Sequence, residues 1–239
     1  MAGPDEHDPS ALPDPVPDYL ADLTVADSLD GLVIGVDPSF DALGPGSEQH
    51  AVLTTAARTL EGLGARVVEI TFPALHKEAV EQVGPIVVSA TARVHGADFD
   101  AHPEAYSDAL ANAIRAGRGL PADVTPRARA ICEAFARDAA AMFRNLDMVL
   151  TPVLPFVAPT WTEFTELATT DPAGLLRFTA PANIAGLPAL VLPAGRTAQG
   201  HPVAMQFIGP RLAESRLLIV GHRFQQATDW HRHHPEIEM

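Results

Sequence analysis

Short apolar runs alternate with longer stretches of helical period along most of the chain. The runs "LVIGVD" (32–37), "ARVVEI" (65–70), "DMVLTP" (147–152), "ALVL" (189–192) and "VAMQFIG" (203–209) are continuous rather than alternating, and each is bounded by Gly, Pro or Asp. Such runs predict strands, those at 32–37 and 189–192 buried ones. Between the first two, "PGSEQHAVLTTAARTLEGLG" repeats Val52, Ala56, Leu60 and Leu63 at helical spacing, with Ser47 placed to cap the helix. Strand, helix and strand within about forty residues predict a right-handed parallel crossover. Residues 73–144 read as helix with breaks: one helix over 74–94, an interruption at "ADFDAHPEAY", a second over 104–116 stopped by Gly117 and Gly119, and a third from Thr125 and Pro126 to Arg144. In "RFTAPANIAGLPALVLPAG" a helical run over 175–185 meets a Gly-Leu-Pro stop, then a strand, then a Pro-Ala-Gly turn. A last helix is expected over 213–230. The first thirty residues are Pro- and Asp-rich with no apolar period, so they should wrap a surface or stay mobile. The expected organisation is a lead-in over 1–30 and one domain over 31–239.

Composition narrows the class. Of the 239 residues 47% are hydrophobic, which predicts a packed core. The formal net charge of -14 argues against nucleic acid or an anionic membrane as partner, since both require a basic face. Cys132 is the single cysteine, so neither an intrachain disulfide nor a cysteine-rich zinc site is available. The acidic start is unlike a secretory signal, and no apolar run approaches the roughly 18 residues of a membrane span. A soluble, cytoplasmic protein is expected, with no cofactor and no metal.

Several side chains are candidates for chemistry. Small residues crowd the corners of "RFTAPANIAGLPALVLPAG", as they do where backbone packs beside a pocket. Within it Thr179 and Asn183 stand four apart and share a helix face next to Phe178. Trp161 and Phe164 follow a Pro-rich loop; they could line an acyl pocket or simply pack. Lys77 is the only lysine and reads as a solvated helix residue. Cys132 reads as a structural thiol, His222 as a surface or half-buried residue, and His231, His233 and His234 as part of a polar terminus rather than a metal site.

Three segments carry a resemblance: "DMVLTPVLP", "RFTAPANIAGLPALVLPAG" and "PVAMQFIGPRLAESRLLIVGHRFQQATDW". In this order they resemble the C-terminal half of the amidase signature family, and "LDGLVIGVDPSF" and "GARVVEI…FPAL" extend the likeness over residues 2–235. The fold class that the resemblance implies is α/β, the C-terminal part of the amidase signature fold, with a mixed β-sheet flanked by helices on both faces. The implied activity is hydrolysis of a carboxylic amide by a Ser nucleophile, with a second Ser in a cis peptide and a Lys. A Ser hydroxyl needs a base to take its proton, a desolvated neutral Lys can serve, and a Gly-rich loop offers N–H groups to the oxyanion.

The sequence departs from that pattern where the chemistry should be. It has no Ser-Ser pair and no Gly/Ser-rich loop; its seven serines are scattered, at 10, 28, 39, 47, 89, 107 and 215. No residue is therefore assigned as catalytic, and the chain alone is not expected to hydrolyse amides. The resemblance implies that Phe178, Thr179 and Asn183 approach the substrate cavity. In the tRNA-linked amidotransferase branch an acid precedes the counterpart of Phe178 by two positions; here Leu176 stands there, which favours a general amidase relative. Three explanations stay open: half of a split amidase, an inactive remnant, or a non-catalytic binding or scaffold module. The expected partners are an N-terminal amidase half or a second copy of the chain, and a small-molecule amide once completed. An isolated half would expose an interface on the order of 2,000 Å² and an unpaired sheet edge, and the apolar strands here favour a missing partner.

Overall fold

A computed structural model describes residues 3–25, 28–40 and 47–234. In chain order the elements are α1 (Tyr19–Val25), β1 (Val33–Val36), α2 (Glu48–Gly62), β2 (Arg66–Glu69), α3 (His76–Glu81), α4 (Val83–Ala101), α5 (Asp108–Arg118), α6 (Val124–Met142), β3 (Met148–Pro152), α7 (Trp161–Thr170), α8 (Pro172–Leu176), α9 (Ala180–Ala185), β4 (Ala189–Arg196), β5 (Pro202–Ile208) and α10 (Glu214–Ala227). The five strands form one mixed sheet in the order β2-β1-β3-β5-β4. β1 runs parallel to both β2 and β3, while β5 is antiparallel to β3 and β4. The parallel β1-α2-β2 crossover is present as the sequence predicts, and Ser47 accepts the His50 N–H at 3.1 Å as the cap of α2.

Helices cover both faces because the side chains of a strand alternate. Met148 and Leu150 of β3, with Met205 and Phe207 of β5, pack against Ala56 and Leu60 of α2 and Leu217, Val220 and Phe224 of α10. Val149, between them, joins Phe135 and Ala139 of α6, Ala79 of α3, and Phe40, Phe72 and Phe178. All five residues of β3 are buried, as its uninterrupted apolar run requires. Asp147 fastens the entry of β3: its carboxylate accepts the Val33 N–H at 2.8 Å and pairs with Arg216 at 2.6 Å.

The structure differs from the sequence expectation in several places. The helical run over 175–185 is two short helices, α8 and α9, parted at 177–179, and the strand expected to be buried at 189–192 is exposed at Ala189 and Val191 because it lies at the sheet's edge. The predicted 74–94 helix is two helices meeting at Gln82, and the second continues through "ADFDA" to Ala101. Phe99 on that extension is buried with Ala111 and Ile114 of α5, and this packing outweighs the two aspartates beside it. Pro-Ala-Gly at 193–195 does not turn the chain. β4 runs through it to Arg196 with a register shift between Pro193 and Gly195. β4 is the sheet's edge, where a proline can forgo a ladder bond and a bulge absorbs the misfit; the turn falls instead at 197–201, with Gly200 at φ 86°. Residues 19–25 are helical and lie against α10, where the sequence shows no period. Residues 161–170 are helical too, held at the start by a reciprocal cap between Thr160 and Glu163. Among the described residues no helix is long and apolar enough to cross a membrane.

Candidate functional site

The connection between α8 and α9 lies at the centre of the site, and a buried polar relay holds it. Gln206, 3% exposed on β5, donates from Nε2 to the Phe178 carbonyl at 2.9 Å and to Thr151 Oγ1 at 3.1 Å. Thr151, on β3, donates its hydroxyl to the Pro152 carbonyl at 2.9 Å. A polar side chain in a buried strand is stable only when its hydrogen bonds are met, and here meeting them ties two strands to the Phe178 turn. Pro181 in the first turn and Gly186, left-handed at φ 63°, bound α9 on either side.

Phe178 is buried and makes an edge contact with Phe40, with ring centroids 5.4 Å apart. Phe40 in turn packs on Phe72 at 4.8 Å and on His76 at 5.3 Å. Asp37, directly after β1, sets this aromatic group. Its carboxylate accepts the Ser39 N–H at 2.8 Å and the buried Phe72 N–H at 2.6 Å. Beside the group, between α3 and α8, opens a cleft of about 570 Å³ lined by Phe40, His76, Lys77, Val80, Asp171 and Arg177, among others. A second hollow, of about 290 Å³, opens where β1 and β3 end, with Asp37, Gln49 and Thr151 on its wall. Gln49 there donates to the Leu154 carbonyl at 2.9 Å, and its own Oε1 is buried without a partner.

Burial first, and then the positive charge of Arg177, hold the His76 imidazole below the ordinary histidine range, against weaker opposing pulls from Asp37 and Glu78. The imidazole is thus neutral in the folded chain near pH 7. A depressed folded value means that the unfolded chain binds the extra proton first. The stability contributed by neutral His76 is therefore complete above the unfolded value of about 6.5 and is lost as pH falls from there towards the folded value. Urea unfolding at neutral and mildly acidic pH should show this loss in the native chain, and His76→Gln should flatten it. An equal pH slope in the variant would assign the loss to other groups.

The sequence candidates separate into two groups. Phe178, Thr179 and Asn183 share one short segment, and Asn183 Nδ2 donates to the Thr179 carbonyl at 3.3 Å, so these two lie together on one turn. Trp161 and Phe164 lie on α7, their rings stacked at 5.9 Å with Trp161 80% exposed. None of these five candidates is among the residues lining the cleft; Phe178 touches its wall through Phe40. Lys77 stands exposed at the cleft mouth. Cys132 is half-buried with Sγ 3.8 Å from the Ala79 carbonyl, and burial pushes its thiol up, away from the reactive thiolate. His233 packs edge-on against Trp230, and His222 meets Gln226 at 2.9 Å. Among the described residues no three His, Cys, Asp or Glu side chains are grouped to hold a metal ion. Sequence reasoning missed Asp37, His76, Arg177 and Gln206. Of these, Gln206 gave a signal, as a polar residue inside the apolar run at 203–209.

Comparison with known proteins agrees with this architecture. A family model described as Amidase matches residues 1–218. Mycobacterium bovis AmiD, a protein assigned to the amidases, is 35% identical over 244 residues, covering 99% of this chain and 49% of that protein. A glutamyl-tRNA(Gln) amidotransferase subunit of Dechloromonas aromatica is 34% identical over 262 residues, covering 98% of this chain and 52% of that protein. Among solved structures, 6-aminohexanoate cyclic dimer hydrolase superposes with a TM-score of 0.82 at 18% identity, over 98% of this chain and 52% of that one. A bacterial aryl acylamidase of the amidase signature family superposes at 0.76 with 21% identity, over 96% and 50%. The chain spans about half the length of the curated relatives it matches, and its nearly equal identity to the two does not separate their branches.

Proposed function

The chain belongs to the amidase family, and on that premise we propose that it forms one wall of an amide hydrolase whose nucleophile lies outside these 239 residues. The observation that carries this reading is a match along the whole chain to half of each relative, combined with the absence of a Ser-Ser pair from the sequence. The catalytic Ser, cis-Ser and Lys would come from a complementary segment, in the same polypeptide or in a separate one. The chain described here would supply the Phe178 turn, with Thr179 and Asn183 facing the substrate cavity. The single cysteine fits a reducing setting, and a cytoplasmic location is part of the proposal.

The sheet edge favours a completing partner over a self-sufficient binding module. β4 ends the sheet, and Val191 on it is 48% exposed. A strand meant to stay unpaired is usually blunted by charge at such a position. The test is release of ammonia or amine from a panel of aliphatic and aryl amides, by the chain alone and with the N-terminal half of the Mycobacterium bovis relative. Silence alone and turnover with the added half is the expected result. Turnover by the isolated chain would overturn the reading and direct attention to Cys132. Val191→Lys should weaken the association by about tenfold, through loss of apolar contact at the edge.

A further inference from the structure

The cleft between α3 and α8 places Arg177 and Lys77 beside two acids, Asp171 and Glu81, and among the described residues neither cation pairs with a carboxylate. Arg177 closes α8, and its guanidinium carbon stands 4.8 Å over the Phe178 ring, a contact that holds the side chain beside the cleft. In a chain with 30 acidic and 16 basic side chains, most cations can find an acid. Yet among the described residues no carboxylate comes within ion-pair distance of Arg177 or of Lys77. The ring nitrogens of His76 likewise have no hydrogen-bond partner there, although Phe40 and Phe72 fix the ring at centroid distances of 5.3 and 5.8 Å. Of the two acids on the rim, Asp171 is engaged by the Gly174 N–H at 2.9 Å, and Glu81 is exposed at the end of α3. The rest of the lining is Ser39 and Gly174 with an apolar patch of Phe40, Val80 and Ala173.

A guanidinium fork on a rigid ring, a free N–H donor and an apolar wall match one ligand chemistry. A carboxylate takes two parallel hydrogen bonds from the fork, and the wall covers the carbon chain behind it. We propose that this cleft binds the carboxylate of an acidic amide, gripped at both oxygens by Arg177 and by a third hydrogen bond from His76, with the ligand's carbons on Phe40 and Val80. The amide half of that ligand rests on the hydrolase reading above; the carboxylate half does not. A neutral imidazole fits the role, because it keeps one N–H to donate while adding no charge that would repel Arg177.

The test uses three probes with the chain as it stands: succinamate, which carries a carboxylate and an amide, its neutral analogue succinamide, and succinate. Binding is read by calorimetry and from the arginine Nε–H resonances. Succinamate should bind at least about tenfold tighter than succinamide, and Arg177→Gln should abolish the difference. Arg177→Lys, which keeps the charge without the fork, should retain an intermediate preference, and His76→Gln should weaken succinamate by about threefold. Circular dichroism checks that each variant is folded, and the lysine variant carries the test should the glutamine variant unfold. Equal affinity for succinamate and succinamide, no saturable binding of succinamate, or a preference unchanged in Arg177→Gln would overturn the proposal. Failure of the hydrolase reading looks different: succinate would still bind with the same Arg177 dependence while the completed assembly hydrolysed none of the amides.

Discussion

Replacing Asp37 by alanine is expected to lower the unfolding free energy by about 3 kcal/mol, a large share of the roughly 5–15 that holds a domain together. The carboxylate is 6% exposed and both its oxygens are occupied, one by the Ser39 N–H and one by the Phe72 N–H. Alanine removes two charge-assisted bonds and leaves the Phe72 N–H buried with nothing to meet it. That orphan donor is the larger part of the cost, because a lost acceptor carries the full desolvation penalty of its partner. Asparagine should cost less, about 2 kcal/mol, since one oxygen still accepts but its amide now faces the second donor. Denaturant midpoints of the three proteins decide this. A midpoint for Asp37→Ala within error of the parent would mean that water reaches Phe72 and that the carboxylate does not organise the aromatic group. The change should also loosen the cleft, because Phe72 packs on both Phe40 and His76.

The second large effect concerns the helical hairpin. Gly117→Ala should separate α4 from α5. A Cβ at Gly117 would fall on the Val88 carbonyl oxygen of the facing helix and close to Ala92 Cβ. The obstruction is backbone, which cannot rotate away, so the helices must part, at about 3 kcal/mol. The loss is local, since Phe99, Ala111 and Ile114 form a small cluster of their own, apart from the sheet's core. Faster proteolysis and hydrogen exchange across α4 and α5, with the sheet still protected, is the expected pattern. Gly84→Ala provides the contrast. Nothing lies within 4 Å of its Cβ in α4, so that change should be neutral or stabilising by about 0.5 kcal/mol. Matching effects of the two alanines would show that helix propensity, not close approach, governs both sites.

Gly117 also shows why the second half of a helix is hard to read from sequence. Read along the chain, Gly117 and Gly119 mark a helix stop; in the structure α5 continues to Arg118, and only Gly119 caps it. Arg118 reaches back to Asp100 at 2.7 Å and to the Gly96 carbonyl at 2.7 Å, contacts that draw the extra turn onto α4. A glycine that permits contact and a glycine that ends a helix look alike until the neighbour is known. The same holds for Pro193, legible as a turn residue until the strand carrying it proves to be the sheet's edge.

The candidate site divides in the same manner. Phe178, Thr179 and Asn183 stood out because they are adjacent in sequence and obey a local period. Asp37, His76 and Arg177 did not, because they come from three segments far apart in the chain. What the sequence determined by itself is what short-range physics encodes: the five strands, the capped helix after the first, and the parallel crossover. What only the tertiary structure decided is which distant groups face one another. The partner of the Phe72 N–H, the meeting of His76 with Arg177 at one cleft and the space between α4 and α5 depend on contacts across the chain, and no local period records them.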